Sequence, residues 1–264
     1  MSSLPRAFIP LLLLLVVGSA STLAWLGGEH LPVGGRPALA LAMLAVCGAT
    51  LLNLALRWLR WHFLLRTLHV RLRARESLLV FTSLLPMILT PWAVGELLLV
   101  LALRHRTPRP LRRAGLVWLA SRGADAIALF LLLLLGVHGL LMPVLLLIAV
   151  SAIALGAIEQ RGGFWPSLFR LYLFLGLSLA AWTGAAAGLF AAVTLLGGEE
   201  GWSATIAAYA RGTLAGALSG SPAGIAVTGA AMIQSLVDLD LPQAVARWSV
   251  AAVRWGSVGF AVLL

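Results

Sequence analysis

Glu96 stands one residue after Gly95 and five after Pro91, just before the apolar run Leu97–Leu103. A helix breaker beside a carboxylate at membrane depth points to a polar cavity. An unpaired acid there costs ~3 kcal/mol on insertion scales, so such groups face a partner or water. Glu96 suits headgroup contact or proton coupling; it equally suits capping a second half-helix, whose N-terminus favours negative charge. Arg122 and Asp125 lie three apart and share one helix face. They form a buried ion pair that holds helices together, or Arg122 binds a phosphate, since a guanidinium fork matches phosphate geometry, and the two readings can coexist. Arg247 and Arg254 are seven apart on one face of the last apolar segment, with Arg254 nearer its middle and the better phosphate ligand. Arg211 is a further candidate. Arg57 and Arg60 also share a face, but their place near the end of their segment lets them snorkel to the interface.

A second break falls in "LSGSPAGIAVTGAAM", residues 218–232. Pro222 and Gly224 shape a turn there, and Ser219, Ser221 and Thr228 add hydroxyls. The helix that follows would offer backbone amides to an anion; a packed turn of small residues is the alternative. Asp238 and Asp240 form a short, common D-x-D pattern on the expected outer face, away from nucleotide sugars. His30, His62, His69, His105 and His138 have no metal-ligand spacing. The sequence contains no Ser-His-Asp array and no Gly-rich nucleotide loop. No catalytic residue, cofactor or metal is therefore expected.

The elements that carry these residues are set by composition. The chain has 264 residues, 61% of them hydrophobic and only 11% charged, with a mean hydropathy of +1.01. Soluble domains carry about 25% charged residues. Several windows exceed the ~18 apolar residues of a membrane span. All 19 basic residues are Arg, giving a net charge of +10. They cluster in short loops between apolar segments, which indicates membrane orientation and anionic headgroups rather than nucleic acid. The single Cys47 lies in an apolar segment, so no disulfide framework is expected.

Along the chain, span one runs from about Ala7 to Leu26 and is expected to be retained rather than cleaved. Span two runs from about Pro37 to Leu65, span three from Ala114 to Val137, span four from Leu141 to Ile158, and span five from Leu168 to Leu196. The last span runs from about Gln243 to Leu264. Broken segments occupy Glu76–Leu103 and about Ala204–Leu236. Arg66, Arg71, Arg73 and Arg75 precede the first broken segment; Arg104, Arg106, Arg109, Arg112 and Arg113 follow it. Arginines in short loops stay cytoplasmic, so that segment must enter and return. Its halves, of about 10 residues and ~15 Å, reach half of the hydrocarbon core. Continuing the count puts the second broken segment on the outer side.

The expected fold is an all-α polytopic membrane protein. It has about six transmembrane helices plus two re-entrant broken-helix hairpins in one domain over 1–264, with inverted repeats at about 1–137 and 141–264. Both termini face the cytoplasm. Inverted repeats with discontinuous helices build transporter sites near the bilayer midplane, because irregular backbone at that depth survives only against protein or a wet cavity.

The pieces "ALRWLRWHFLL" at 55–65, "LTPWAVGELLLVLALR" at 89–104, "ASRGADAIALFLLLLLG" at 120–136, "LSGSPAGIAVTGAAM" at 218–232 and Arg254, in that order, resemble the lysylphosphatidylglycerol synthase transmembrane, or flippase-like, family. The resemblance is to a stand-alone member without the soluble aminoacyl-transferase domain. It implies a lipid translocase in a bacterial inner membrane, moving a phospholipid, polyprenyl-phosphate or hopanoid-type lipid. The alternative is an accessory subunit that presents a lipid to a separate glycosyl- or aminoacyl-transferase. Ala93 stands where the family commonly has a basic residue, Gly229 where it has a Glu, and Ser121 where it often has a Glu. This chain thus carries fewer charges at those positions than the family pattern.

Overall fold

The structure is a computed structural model and describes residues 35–67, 72–85, 111–139, 165–221 and 224–259. Span one, span four, the break containing Pro91, Gly95 and Glu96, and Pro222 lie outside these residues. Every element among the described residues is helical: α1 (Gly35–Thr67), α2 (Ala74–Leu84), α3 (Leu111–Val137), α4 (Trp165–Leu195), α5 (Trp202–Leu218), α6 (Ile225–Val237) and α7 (Gln243–Arg254), which runs into a π-helical turn at Trp255–Gly259. Three described helices contain segments long and apolar enough to cross a membrane, at Gly35–Arg66, Trp118–Val137 and Tyr172–Leu195. The protein is an α-helical membrane protein.

α1 shows why such a helix packs as it does. Its exposed residues include large ones, Leu41, Leu44, Leu51 and Leu59. Its inner face, spaced three, four or seven residues apart, carries Ala42, Val46, Thr50, Asn53 and Arg60, all buried. Leucine gains nothing from leaving lipid, so the interior is selected for close approach and polar pairing instead. α1 therefore packs along α4 through small residues. A Cβ added at Gly188 would lie 2.9 Å from Ala49 Cβ, and one at Gly184 would lie 3.4 Å from Leu52 Cδ2. Asn53 Nδ2 donates to the Ala181 carbonyl at 2.7 Å, tying the two helices together.

The same device holds α5 to its neighbours. Gly136 of α3 lies where an added Cβ would sit 2.8 Å from the Ser203 carbonyl oxygen. Gly212 and Gly216, four apart on α5, press on Met232 and Thr228 of α6. The chain reverses between Leu218 and Ile225, with Gly220 at φ 68° and Gly224 at φ 59°. A side chain at either φ is strained, so glycine permits the turn. At 17 and 13 residues, α5 and α6 are ~26 and ~20 Å long, shorter than the ~30 Å hydrocarbon core. Leu132, Leu189, Ile206, Met232, Leu236 and Val250 form the centre of the apolar core.

Candidate functional site: an arginine-lined cavity

The interior faces of these helices do not close completely. A cavity of about 480 Å³ lies among α1 and α3–α7, with Phe81 of α2 and Leu85 just beyond it at one edge. That volume falls within the range of small-ligand sites, ~300–1,000 Å³. Much of its wall is apolar, from Leu54, Leu129, Leu214 and Met232. Its charged groups, among the described residues, converge from three helices. α1 presents Arg57 and Arg60 about one and two turns past Asn53. α3 presents Arg122 and Asp125, on the face shared with Leu129. α7 presents Arg254, and the π turn that follows keeps Ser257 on the same wall. A π turn adds one residue to the ring and resets the face of the next turn. Here it also seats Gly256 against Val46 of α1.

Asp125 is the centre of the cluster. Its Oδ1 accepts from Arg60 Nη1 at 2.6 Å and from Trp182 Nε1 at 2.9 Å. Its Oδ2 faces Arg57 Nη2 at 3.5 Å. Arg60 also donates to Ser178 Oγ at 2.7 Å, and Ser178 in turn donates to the Phe174 carbonyl. The Arg57 guanidinium lies 5.5 Å over the Trp182 ring, and that of Arg60 lies 5.6 Å over Phe174, both within cation–π range. Arg60 and Asp125 are 3% and 4% exposed. A buried charge of either sign is costly without this pairing.

Among the described residues, four guanidiniums line the cavity (Arg57, Arg60, Arg122 and Arg254) against one carboxylate, Asp125, a formal excess of three positive charges. In low dielectric such an excess is a strong field for an anion. At the far wall the α5–α6 turn contributes Ser221, Gly224 and Thr228. Ser219 Oγ bonds the Gly216 carbonyl and receives the Ser221 amide, and the Gly224 amide closes on the Ser221 carbonyl at 2.9 Å. The positive end of α6 therefore opens beside the cavity.

The structure brings Arg122, Asp125, Arg254, Ser221 and Gly224 onto one wall system, although the sequence offers them as three separate features: a pair on one helix, an arginine in the last apolar segment, and a turn. It does not bring Arg211 there. That residue is exposed on α5 and is not among the residues that line the cavity. The ion pairs of Asp125 run to α1, to Arg60 and Arg57, and not to Arg122 within its own helix. Snorkelling does not describe Arg60, because a buried carboxylate across the bundle draws it inward. Trp182, Ser178 and Tyr209 were not anticipated. They sit within apolar runs of α4 and α5, and only the pairing of helices reveals their partners. Asp238 accepts from Gln234 Nε2 at 2.8 Å in the turn after α6 and does not line the cavity. No family model, no curated protein and no solved structure matches the chain.

Proposed function

We propose that the protein is a lipid translocase that passes a phosphate-bearing headgroup between leaflets while the tail stays in the bilayer. The observation that carries this reading is the guanidinium-rich cavity inside an otherwise apolar helical bundle. Arginine at the bilayer centre costs ~3 kcal/mol per residue on insertion scales, so four of them around one cavity need a function that uses positive charge. The chain's resemblance to the flippase-like family supports the same reading, as do the two short helices that turn beside the cavity. In this proposal the α5–α6 hairpin and the Glu76–Leu103 segment are re-entrant, dip from opposite faces, and gate the cavity in alternation. Six transmembrane helices surround them, and both termini lie in the cytoplasm. The headgroup phosphate engages Arg254 and its neighbours, and Glu96 either shapes the gate or carries a proton. Movement is then downhill or proton-coupled.

The test is reconstitution into liposomes carrying fluorescent or enzymatically detectable lipids. Wild type should move at least one phosphate-bearing lipid across the bilayer, and Arg254→Ala and Glu96→Gln should slow it. Variants that match wild type for every lipid would reject the site. Lipid binding without transbilayer movement would favour the accessory-subunit reading. Single cysteines at Ser83 and Leu101, introduced with Cys47→Ser, should both be labelled from the cytoplasmic side. Labelling of either one from outside rules out the first hairpin.

A further inference from the structure

We infer that the cavity holds a phosphate together with the apolar carbons attached to it, so that its ligand is a phosphate ester of an apolar alcohol and not a sugar phosphate. The inference rests on the translocase reading and names the chemical class that the same site takes. It starts from the extent of the cavity, which is longer than its charged cluster. The lining runs from Thr50 to Trp61 on α1 and from Trp118 to Leu129 on α3, each stretch ~16 Å long at 1.5 Å per residue. Arg57, Arg60, Arg122 and Asp125 all fall within those stretches. A phosphate bonded at ~2.8 Å by the groups around it fills only part of a space of about 480 Å³.

What lines the remainder decides what else enters. α5 contributes Leu214, Ala217 and Leu218, α6 contributes Met232, and α3 adds Ala126 and Leu129 beside its charged pair. Ala126, Ala217 and Leu218 are exposed although they line the cavity. Leu218, the last residue of α5, is 83% exposed, so the cavity reaches the surface of the described bundle there. The hydroxyls on the α5 side already have partners. Thr213 Oγ1 donates to the Tyr209 carbonyl at 2.9 Å, and Ser221 Oγ pairs with Ser219 Oγ at 2.9 Å. A sugar pressed against these leucines, alanines and methionine would lose water without gaining hydrogen bonds, which is costly. Methylene groups lose nothing there. In a bilayer the exchange of lipid for an apolar wall is nearly neutral, because lipid tails are as apolar as leucine. The walls therefore select the ligand by rejecting a polar body, and the open side at Leu218 lets the rest of the chain remain outside.

The experiment measures equilibrium binding to the full chain in detergent by calorimetry, against protein-free micelles. The probes are methyl phosphate, hexyl phosphate and glucose 1-phosphate. A methylene moved from water to an apolar wall is worth about fourfold in affinity, so hexyl phosphate should bind at least about tenfold tighter than methyl phosphate. It should also bind tighter than glucose 1-phosphate. Ala126→Leu and Ala217→Leu add volume inside the cavity, and each should reduce the hexyl-to-methyl ratio at least about threefold. A merely structural effect weakens both probes together and leaves that ratio where it was. A wild-type ratio near one, or glucose 1-phosphate binding as tightly as hexyl phosphate, overturns the inference. So does a ratio unchanged in both variants, or the absence of measurable binding by all three probes. The wild-type comparison decides even where a leucine variant does not fold. Chain-dependent binding without transbilayer movement in liposomes leaves this inference standing and removes the translocase. Transbilayer movement of a phosphate-bearing lipid with a wild-type ratio near one does the reverse.

Discussion

Arg60→Met should be among the most destabilising single changes in the described bundle. The substitution removes the 2.6 Å contact to Asp125 and the 2.7 Å contact to Ser178. It leaves a carboxylate 4% exposed, with Trp182 at 2.9 Å and Arg57 at 3.5 Å. Removing one partner of a buried pair costs ~3–5 kcal/mol. The remaining two contacts put the expected loss near the low end, about 3 kcal/mol. Asp125→Leu alone should cost a similar ~3 kcal/mol, because it removes the carboxylate that the buried Arg60 guanidinium pairs with at 2.6 Å. The double variant Arg60→Met/Asp125→Leu removes both members of the 2.6 Å pair and replaces them with apolar volume, with the contacts of Arg57 and Trp182 to Asp125 and of Arg60 to Ser178 lost in addition. It should therefore be more stable than either single variant, with a coupling of at least ~2 kcal/mol. Equilibrium unfolding in mixed micelles, followed by far-ultraviolet circular dichroism, gives the three differences. Single effects that add to within ~0.5 kcal/mol would refute the reasoning, because uncoupled residues do not share a buried pair.

Three further outcomes follow from the packing. Gly216→Ala forces the Thr228 hydroxyl aside and should cost ~1–3 kcal/mol, as overpacking does; Thr228→Ala in the same chain should recover part of it in the same unfolding assay. Gly188→Ala places a methyl 2.9 Å from Ala49 Cβ and should lower the melting temperature, while adding Ala49→Gly should restore it. Asn53→Ala loses the 2.7 Å bond to the Ala181 carbonyl and should cost ~1 kcal/mol; a loss too small to measure would mean that water replaces the amide there.

The sequence alone determined the class of this protein and three of the stretches long and apolar enough to cross a membrane. An apolar window has one solution in a bilayer, a helix with its backbone bonds internal. Thus Pro37–Leu65, Ala114–Val137 and Leu168–Leu196 could be read directly, and α1, α3 and α4 occupy those stretches. The reversal near Gly224 was legible too, because Gly and Pro at that density do not continue a helix. Charged residues within apolar runs marked Arg122, Asp125 and Arg254 as interior groups for the same reason.

Pairing was not legible. Spacing along one helix suggested that Asp125 belonged with Arg122, and proximity to an end suggested that Arg60 faced the headgroups. Both arguments use distance along the chain, whereas ion pairs form across the bundle. Only the approach of α1 to α3 and α4, set by Asn53, Gly184 and Gly188, brings Arg60, Asp125, Ser178 and Trp182 together. Arg211 shows the same limit in reverse. A charge in an apolar helix can lie on either side of it, and the rotation of α5, fixed by Gly212 and Gly216 against α6, turns this one outward. Composition decides that a charge at membrane depth needs a partner; the rotation and approach of the helices decide which partner it receives.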